Sequence, residues 1–473
     1  MARLAFDRYH GTMGNFALTP QAMIGGRNLA DKDVVFYITQ RKLPFAPCVG
    51  HERLLESLVR RNLDVPRRRF LEQDKAGLSL LAKRLESPLP FKIRTMAPGT
   101  IQFANEPFAD IKGYFADVQM TEVAFEHAFD EPMTVASNAL RMRIAAGPHR
   151  WLSDFSLRRD GSLDRACEIA KYAVIGGFND TSNMEAAFLM DVNATGTMAH
   201  YLVQAFIEYL YLIDESGVRK HFQQVAYERW LDAHPNGTTL LLDTISVRLG
   251  VIHAIRAAHS SPERWRALRA VRIDSKENIK HAIWVKKMLD ANGLSDVKII
   301  LTSDLDKSSI RTIVEACPFV FGFGVGTKLI AEVEHVAGVI FKLCLIEGSW
   351  PVLKFSDPAG KETLPGDLQV WRCVGPDSFY VKDVVASNRE LAPVGENIVE
   401  AIPLLRPFWG FGNEPRVPTD QEQKLFVQEQ LACFVDIDEY PVELSPHLRG
   451  LQESLTREMA TDPLGTEGVI VVD

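Results

Sequence analysis

Short apolar runs alternate with polar loops and helical stretches through the middle of this chain. Strand-like runs fall at Tyr172-Ala173-Val174-Ile175, Thr239-Leu240-Leu241-Leu242, Leu268-Arg269-Ala270-Val271, Val297-Lys298-Ile299-Ile300-Leu301 and Phe319-Val320-Phe321. Helical spacing lies between them, as over residues 278–292. An apolar run, a polar loop and a helix make one βα unit, and such units in series favour a parallel sheet. The rhythm runs from about 150 to about 345. It predicts a barrel, whose loops all open on one rim.

The flanks read differently. Residues 34–45 predict a strand that turns at Pro44, followed by helices near 51–63 and 67–85. Prolines and glycines over 88–118 predict short strands and turns, and a long helix is expected over 121–146. Residues 350–385 look antiparallel, with strands at Pro351-Val352-Leu353-Lys354-Phe355-Ser356 and Leu368-Gln369-Val370-Trp371-Arg372. Between them, 358–366 has the composition of a tight loop. A further helix is expected near 420–431.

Composition narrows the possibilities. A chain of 473 residues with 46% hydrophobic content forms two or more domains. A net charge of −8 argues against nucleic acid as a main partner, and the basic run Arg67-Arg68-Arg69 reads as a solvated helix face. The six scattered cysteines include no CxxC pair, which disfavours a zinc or redox motif and suits a reducing cytoplasm. Met1-Ala2-Arg3-Leu4-Ala5-Phe6-Asp7 lacks the apolar core of a signal peptide. The longest apolar stretch, 336–346, is too short for a membrane helix and reads as a buried strand. The expectation is a cytoplasmic protein without membrane contact.

Candidate chemistry sits where the apolar runs end. Phe323-Gly324-Val325-Gly326-Thr327 could bring backbone N–H groups close to phosphate oxygens, or simply make a tight βα turn. Thr302-Ser303-Asp304 is similar, and Asp304 could equally cap a helix. In Arg272-Ile273-Asp274 the charged residues are two apart on a strand and face the same way, as a site or as an ion pair. Gly196-Thr197-Met198-Ala199-His200 puts an imidazole at a helix start, after strand-like 192–195, where it could attack a phosphoryl group. Helix histidines are more often packing residues. Arg158 and Arg159 follow Asp154-Phe155-Ser156-Leu157 and could hold a carboxylate or phosphate in a two-pronged grip, or form a basic turn.

In order and wording these motifs resemble the nicotinate phosphoribosyltransferases, barrel-type enzymes of NAD salvage. The resemblance spans about 7–372 and includes Gly177-Phe178-Asn179-Asp180-Thr181-Ser182-Asn183, and Lys354, Ser356, Gly360-Lys361, Thr363, Pro365-Gly366 and Arg372. Asp7-Arg8-Tyr9-His10-Gly11-Thr12-Met13 looks like the family's DxYxxTM. The resemblance implies an irregular (β/α) barrel over 121–349 and a second α/β domain of 1–120 completed by 350–473. It implies ATP-coupled transfer of phosphoribosyl from phosphoribosyl pyrophosphate to nicotinate, giving nicotinate mononucleotide, with magnesium. Tyr9 would stack on the pyridine from the neighbouring subunit of a homodimer, with Phe155 on the other face. Arg158, Ser182, Thr197 and Arg272 would contact the acceptor. Asp274 would face the ribose ring or a metal. Ser303, Asp304, Gly324, Gly326 and Thr327 would hold the donor phosphates. His200 would become a phosphohistidine.

Ser182 stands where nicotinamide-using relatives carry an aspartate, which would repel a nicotinate anion. Three positions depart from the family pattern. Lys276-Glu277 replace a usual glycine and aspartate, Ser156 replaces a glycine, and Tyr201 a serine. Glu277 is a candidate substitute for the missing aspartate. The alternatives are a nicotinamide phosphoribosyltransferase and a catalytically altered phosphoribosyl-binding protein.

Overall fold

Six strands, all parallel, lie side by side in the middle of the chain. Their order is Thr238–Leu241, Leu268–Ile273, Lys298–Leu301, Gly322–Val325, Trp151–Asp154 and Asp180–Thr181. A single bridge from Thr181 to Ala194 carries the ladder one step further. The computed structural model describes residues 6–59, 65–73, 78–86, 90–213, 222–331, 336–348, 350–354, 363–412 and 414–460. The chain divides into two compact units, Val135–Glu334 and Met1–Thr134 with His335–Asp473. The division falls inside the long helix Glu122–Ala146.

In the unit Val135–Glu334, helices alternate with the strands as in an irregular half of a β/α barrel. Several helices start on a side-chain cap. Ser162 accepts from Arg165 N, Asn183 from Ala186 N and Ser246 from Leu249 N. Asp306 and Ser309 form a reciprocal capping box. Such caps satisfy amide groups that a first helical turn leaves without partners.

Two predicted strands are corrected. Residues 172–175 are the buried last turn of the helix Leu163–Ile175. A short apolar run has no period that separates strand from helix, and here the Ser162 cap decides. The strand expected at 319–321 lies just beyond, at Gly322–Val325. Glycine is a poor strand former, but the sheet leaves no space for side chains here. A Cβ on Gly322 would lie 2.6 Å from Trp151 O, and one on Gly324 2.5 Å from the Phe155 ring. Strand-like 192–195 contributes only the Ala194 bridge.

The other unit is built on an antiparallel sheet. Its order is Trp350–Pro351, Val339–Ile346, Asp33–Gln40, Pro107–Tyr114, Lys92–Thr95 and Arg406–Trp409. A second sheet pairs Glu400–Pro403, Leu368–Val374, Tyr380–Ser387 and Val442–Leu444. Of the strand expected over 351–356, only 351–354 are described, and strand there ends with Trp350–Pro351; Phe355, Ser356, Gly360 and Lys361 lie outside the described residues. The helix Asp420–Ala432 follows a capping box of Thr419 and Glu422. Its Gln430 bonds Ile101 N, Gly99 O and Arg372, which packs this late segment onto the first part of the chain.

Candidate active site

A parallel barrel gathers the loops that leave its strands onto one rim. In Val135–Glu334 those loops begin at Phe155, Ser182, Leu242, Asp274, Thr302 and Gly326. Backbone and side-chain bonds stitch three neighbouring segments together. Buried Asp154 accepts from Ser156 N at 2.8 Å and from Thr181 Oγ1 at 2.7 Å. Ser182 N donates to Asp154 O, and Thr195 N donates to Thr181 O. Burial raises the Asp154 pKa, and the Ser156 and Thr181 bonds oppose that rise. Phe155 and Ser182 therefore leave adjacent strands at the same level.

Beneath this rim lies a cavity of about 480 Å³, with Phe155, Thr197, Arg272 and Phe323 in its wall. Arg272 is half-buried, and its Nη2 donates to Met198 O at 3.1 Å. Its Nε is buried without a partner. Burial lowers the Arg272 pKa, Asp274 and Asp243 raise it, and Arg158 lowers it. Two carboxylates and a second arginine thus lie within electrostatic reach of the one guanidinium. An unpaired donor on an arginine suits a planar anion.

His200 opens the helix His200–Ile213, and its Nδ1 lies 3.2 Å from Thr244 Oγ1. The buried hydroxyl of Thr197 has no partner. Asp243 also keeps a buried, unpartnered oxygen, Oδ1. Asp243 and Thr244 were not singled out in the sequence. The signal was there, because Leu240-Leu241-Leu242 runs into Asp243-Thr244 as the other apolar runs run into their motifs.

After the strand Lys298–Leu301 the backbone turns through the left-handed region twice in succession, at Ser303 (φ 82°) and Asp304 (φ 49°). Two such non-glycine residues cost free energy, and strain of this kind concentrates at ligand sites. Gly324 lies within a strand, with Phe155 and Thr302 against the place a Cβ would take. Gly326 follows that strand, and Thr327 begins the short helix Thr327–Ala331. Glu277 precedes the helix Asn278–Ala291, and its exposed carboxylate lies 3.4 Å from Lys280 Nζ and 3.7 Å from His281 Nε2. Arg158 and Arg159 are exposed on a 3-10 turn.

Tyr9 belongs to the other unit. It is 48% exposed and donates to Glu122 Oε2 at 3.3 Å. Burial and the Glu122 charge push its pKa up to about 12. Buried His10 lies 2.8 Å from the same Glu122 oxygen.

A profile of the nicotinate phosphoribosyltransferase (NAPRTase) family matches residues 151–350. Nicotinate phosphoribosyltransferase pncB1 of Mycobacterium tuberculosis is 30% identical over 413 residues, 86% of each chain. The same organism's pncB2 is 32% identical over 360 residues, 75% of this chain and 69% of that one. The nicotinate phosphoribosyltransferase of Bacillus subtilis is 28% identical, over 74% of this chain and 70% of its own. The crystal structure of human nicotinic acid phosphoribosyltransferase shares the fold, with a TM-score of 0.74 over 95% of this chain and 99% of that one, at 22% identity. The nicotinate-nucleotide pyrophosphorylase of Pyrococcus furiosus matches with a TM-score of 0.65 over 90% of this chain and 94% of its own, at 24% identity. This chain belongs to the nicotinate phosphoribosyltransferase family.

Proposed function

We propose that this protein transfers phosphoribosyl from phosphoribosyl pyrophosphate to nicotinate, giving nicotinate mononucleotide in NAD salvage. The observation that carries this is the buried, unpaired Nε–H of Arg272 in the cavity wall it shares with Phe155. Arg272 holds the acceptor's carboxylate, and Phe155 lies against the flat ring. Thr197, Arg158 and Ser182 border the acceptor. Ser182 brings no charge to oppose the nicotinate anion.

The pyridine nitrogen attacks C1 of the ribose. The C1–O bond breaks and its electron pair leaves with pyrophosphate. Positive charge on the sugar ring is stabilised by Asp274. Ser303, Asp304, Gly324, Gly326 and Thr327 bind the donor phosphates, and Gly324 also keeps the Phe155 ring seated. Among the described residues no group of three or more His, Cys, Asp or Glu side chains could hold a metal ion. Magnesium would be held chiefly by the donor's own phosphates, with Asp274 as its candidate protein ligand. When bound, it neutralises charge on the leaving group.

His200 takes the γ-phosphoryl group of ATP, forming an N–P bond as the bond to ADP breaks. Water then releases phosphate, and this hydrolysis drives ribosyl transfer toward product. Thr244 orients the imidazole. A homodimer is supported by exposed apolar side chains on two helices, Met184–Met190 and His200–Ile213. They include Phe188, Leu189, Tyr201, Tyr209, Leu212 and Ile213. Exposed Tyr9 would then serve a partner's rim. Among the described residues no helix is long and apolar enough to cross a membrane.

The test is incubation with phosphoribosyl pyrophosphate, magnesium and equal nicotinate and nicotinamide, with and without ATP, followed by chromatography. Nicotinate mononucleotide should form, and form faster with ATP. Preferential use of nicotinamide would overturn the Ser182 reading. Donor binding without any product would favour a binding protein.

A further inference from the structure

The cavity beneath Arg272 continues down the inside of the sheet. Phe155, Ser153 and Trp151 follow one strand downward, and Arg272 and Ala270 follow another. Alternate residues on a strand share a face, so both series look inward. Barrel interiors are ordinarily filled by bulky branched side chains. Here Ser153, Ala270, Thr239 and Thr195 are small, and the bore stays open. Its volume lies within the range of about 300–1,000 Å³ typical of drug-sized ligands, so one pyridine ring at the rim leaves much of it unfilled. A second cavity, of about 450 Å³, shares Asp296, Lys298 and Phe321 with it. Lys298 and Asp296 are exposed, so the far end also meets solvent.

Besides Arg272 and Thr197 near the rim, a carboxylate of the bore is also unsatisfied. Asp180 is 1% exposed. Its Oδ2 accepts from Trp151 Nε1 at 2.8 Å and from the Thr195 hydroxyl. Its Oδ1 has no partner. A buried acceptor left without a donor is costly, and a ligand N–H would relieve that cost. Flat surface is available beside it. The Trp151 and Phe321 rings lie 15° from parallel with centroids 6.2 Å apart, and Lys298 Nζ lies 3.9 Å from the Phe321 centroid.

We propose that the barrel lumen is a second binding site, below the rim, for a planar aromatic amide. The amide N–H pairs with Asp180 Oδ1 and the ring lies against Trp151. An aromatic carboxylate gains nothing there, because it has no N–H to donate to Asp180 Oδ1 and two acceptors would face each other. The rim has the opposite preference, set by Arg272, and that contrast rests on the function proposed above.

The probe is benzamide, which lacks the ring nitrogen needed for ribosyl transfer. Benzoate is its anionic counterpart. Calorimetric titration of the full chain should show benzamide binding at millimolar concentration, unchanged by saturating nicotinate. Benzoate should not displace it. Asp180→Asn should weaken benzamide by about tenfold. Ala270→Leu fills the bore and should abolish benzamide binding while nicotinate still binds. It decides the matter if the Asp180 variant fails to fold. No benzamide binding, displacement by nicotinate, or undiminished binding to Ala270→Leu would each overturn the proposal. The readout needs no turnover. A protein that binds benzamide in the bore but makes no mononucleotide would refute the proposed function and leave this inference standing.

Discussion

Arg372 and Arg272 lie on strands of different units, and their surroundings satisfy them to different degrees. Arg372 is fully buried. Its Nε and Nη2 donate to the two Asp383 oxygens at 3.0 and 2.6 Å, Nη2 also to Ile101 O at 2.7 Å, and Nη1 to Gln430 at 3.2 Å. Phe103, Tyr380 and Phe434 surround the guanidinium at 5.1–6.0 Å. Burial pulls the Arg372 pKa down, but the charge and hydrogen bonds of Asp383 raise it further. Arg272 is half-buried, makes one bond to a carbonyl and leaves Nε unpaired. A guanidinium whose donors are met by the protein holds the fold together. One whose donors are left open has capacity for a ligand.

This contrast can be broken experimentally. Arg372→Ala should have the largest effect on stability, a loss of about 3–5 kcal/mol. It would leave Asp383 buried without its cation, beside Glu106, whose pKa is already raised by burial and by Asp383. Urea unfolding reads the loss, and a change below about 1 kcal/mol would dissolve the distinction. Arg272→Ala should do the reverse. Stability should hold within about 1 kcal/mol, while kcat/KM for nicotinate falls by roughly 10²–10³.

His200→Ala sharpens the division of labour on the rim. ATP stimulation should vanish and a residue of ATP-independent transfer should remain. Normal ATP hydrolysis by this variant would sink the phosphohistidine. Thr244→Val should slow phosphorylation by only about tenfold or less, since it removes one neutral hydrogen bond.

The smallest effect concerns Glu126, on the helix Glu122–Ala146 in the Arg372 unit. Burial and then the Glu122 charge push its pKa from 4.5 to about 7, against Lys342 and His10. Between those values the folded state keeps a proton that the unfolded chain has lost. Its contribution to stability is therefore complete below about pH 4.5 and is lost as pH rises through about 7. Glu126→Gln should flatten that slope, by less than about 1 kcal/mol because the group is half-exposed. Thermal midpoints across the window measure it, and an unchanged slope would reject the assignment.

Much of this molecule is written in short-range pattern. The parallel strands at Thr238–Leu241, Leu268–Ile273 and Lys298–Leu301 follow from β-branched and leucine-rich runs ended by polar residues. Arg272 and Asp274 were legible as a pair because alternate strand positions share a face. His200 was legible at a helix start because the polar Gly196–Thr197 segment precedes a helical period.

What pattern could not supply is the identity of distant partners. Residues 172–175 are helix because of a cap ten residues earlier, at Ser162. Gly324 is required by a ring that arrives from another strand. Thr244 reaches His200 across 44 residues of sequence. The bore is open because small residues from several strands face one another. The amino-acid sequence by itself determined the strand and helix periods, the family motifs and which polar residues follow each strand, since these depend on neighbours a few positions away. Only the tertiary structure decided which donors and acceptors remain unpaired, at Arg272, Asp180, Thr197 and Asp243. Every competing partner for those groups comes from another strand or loop, and pairing is settled only when they pack together.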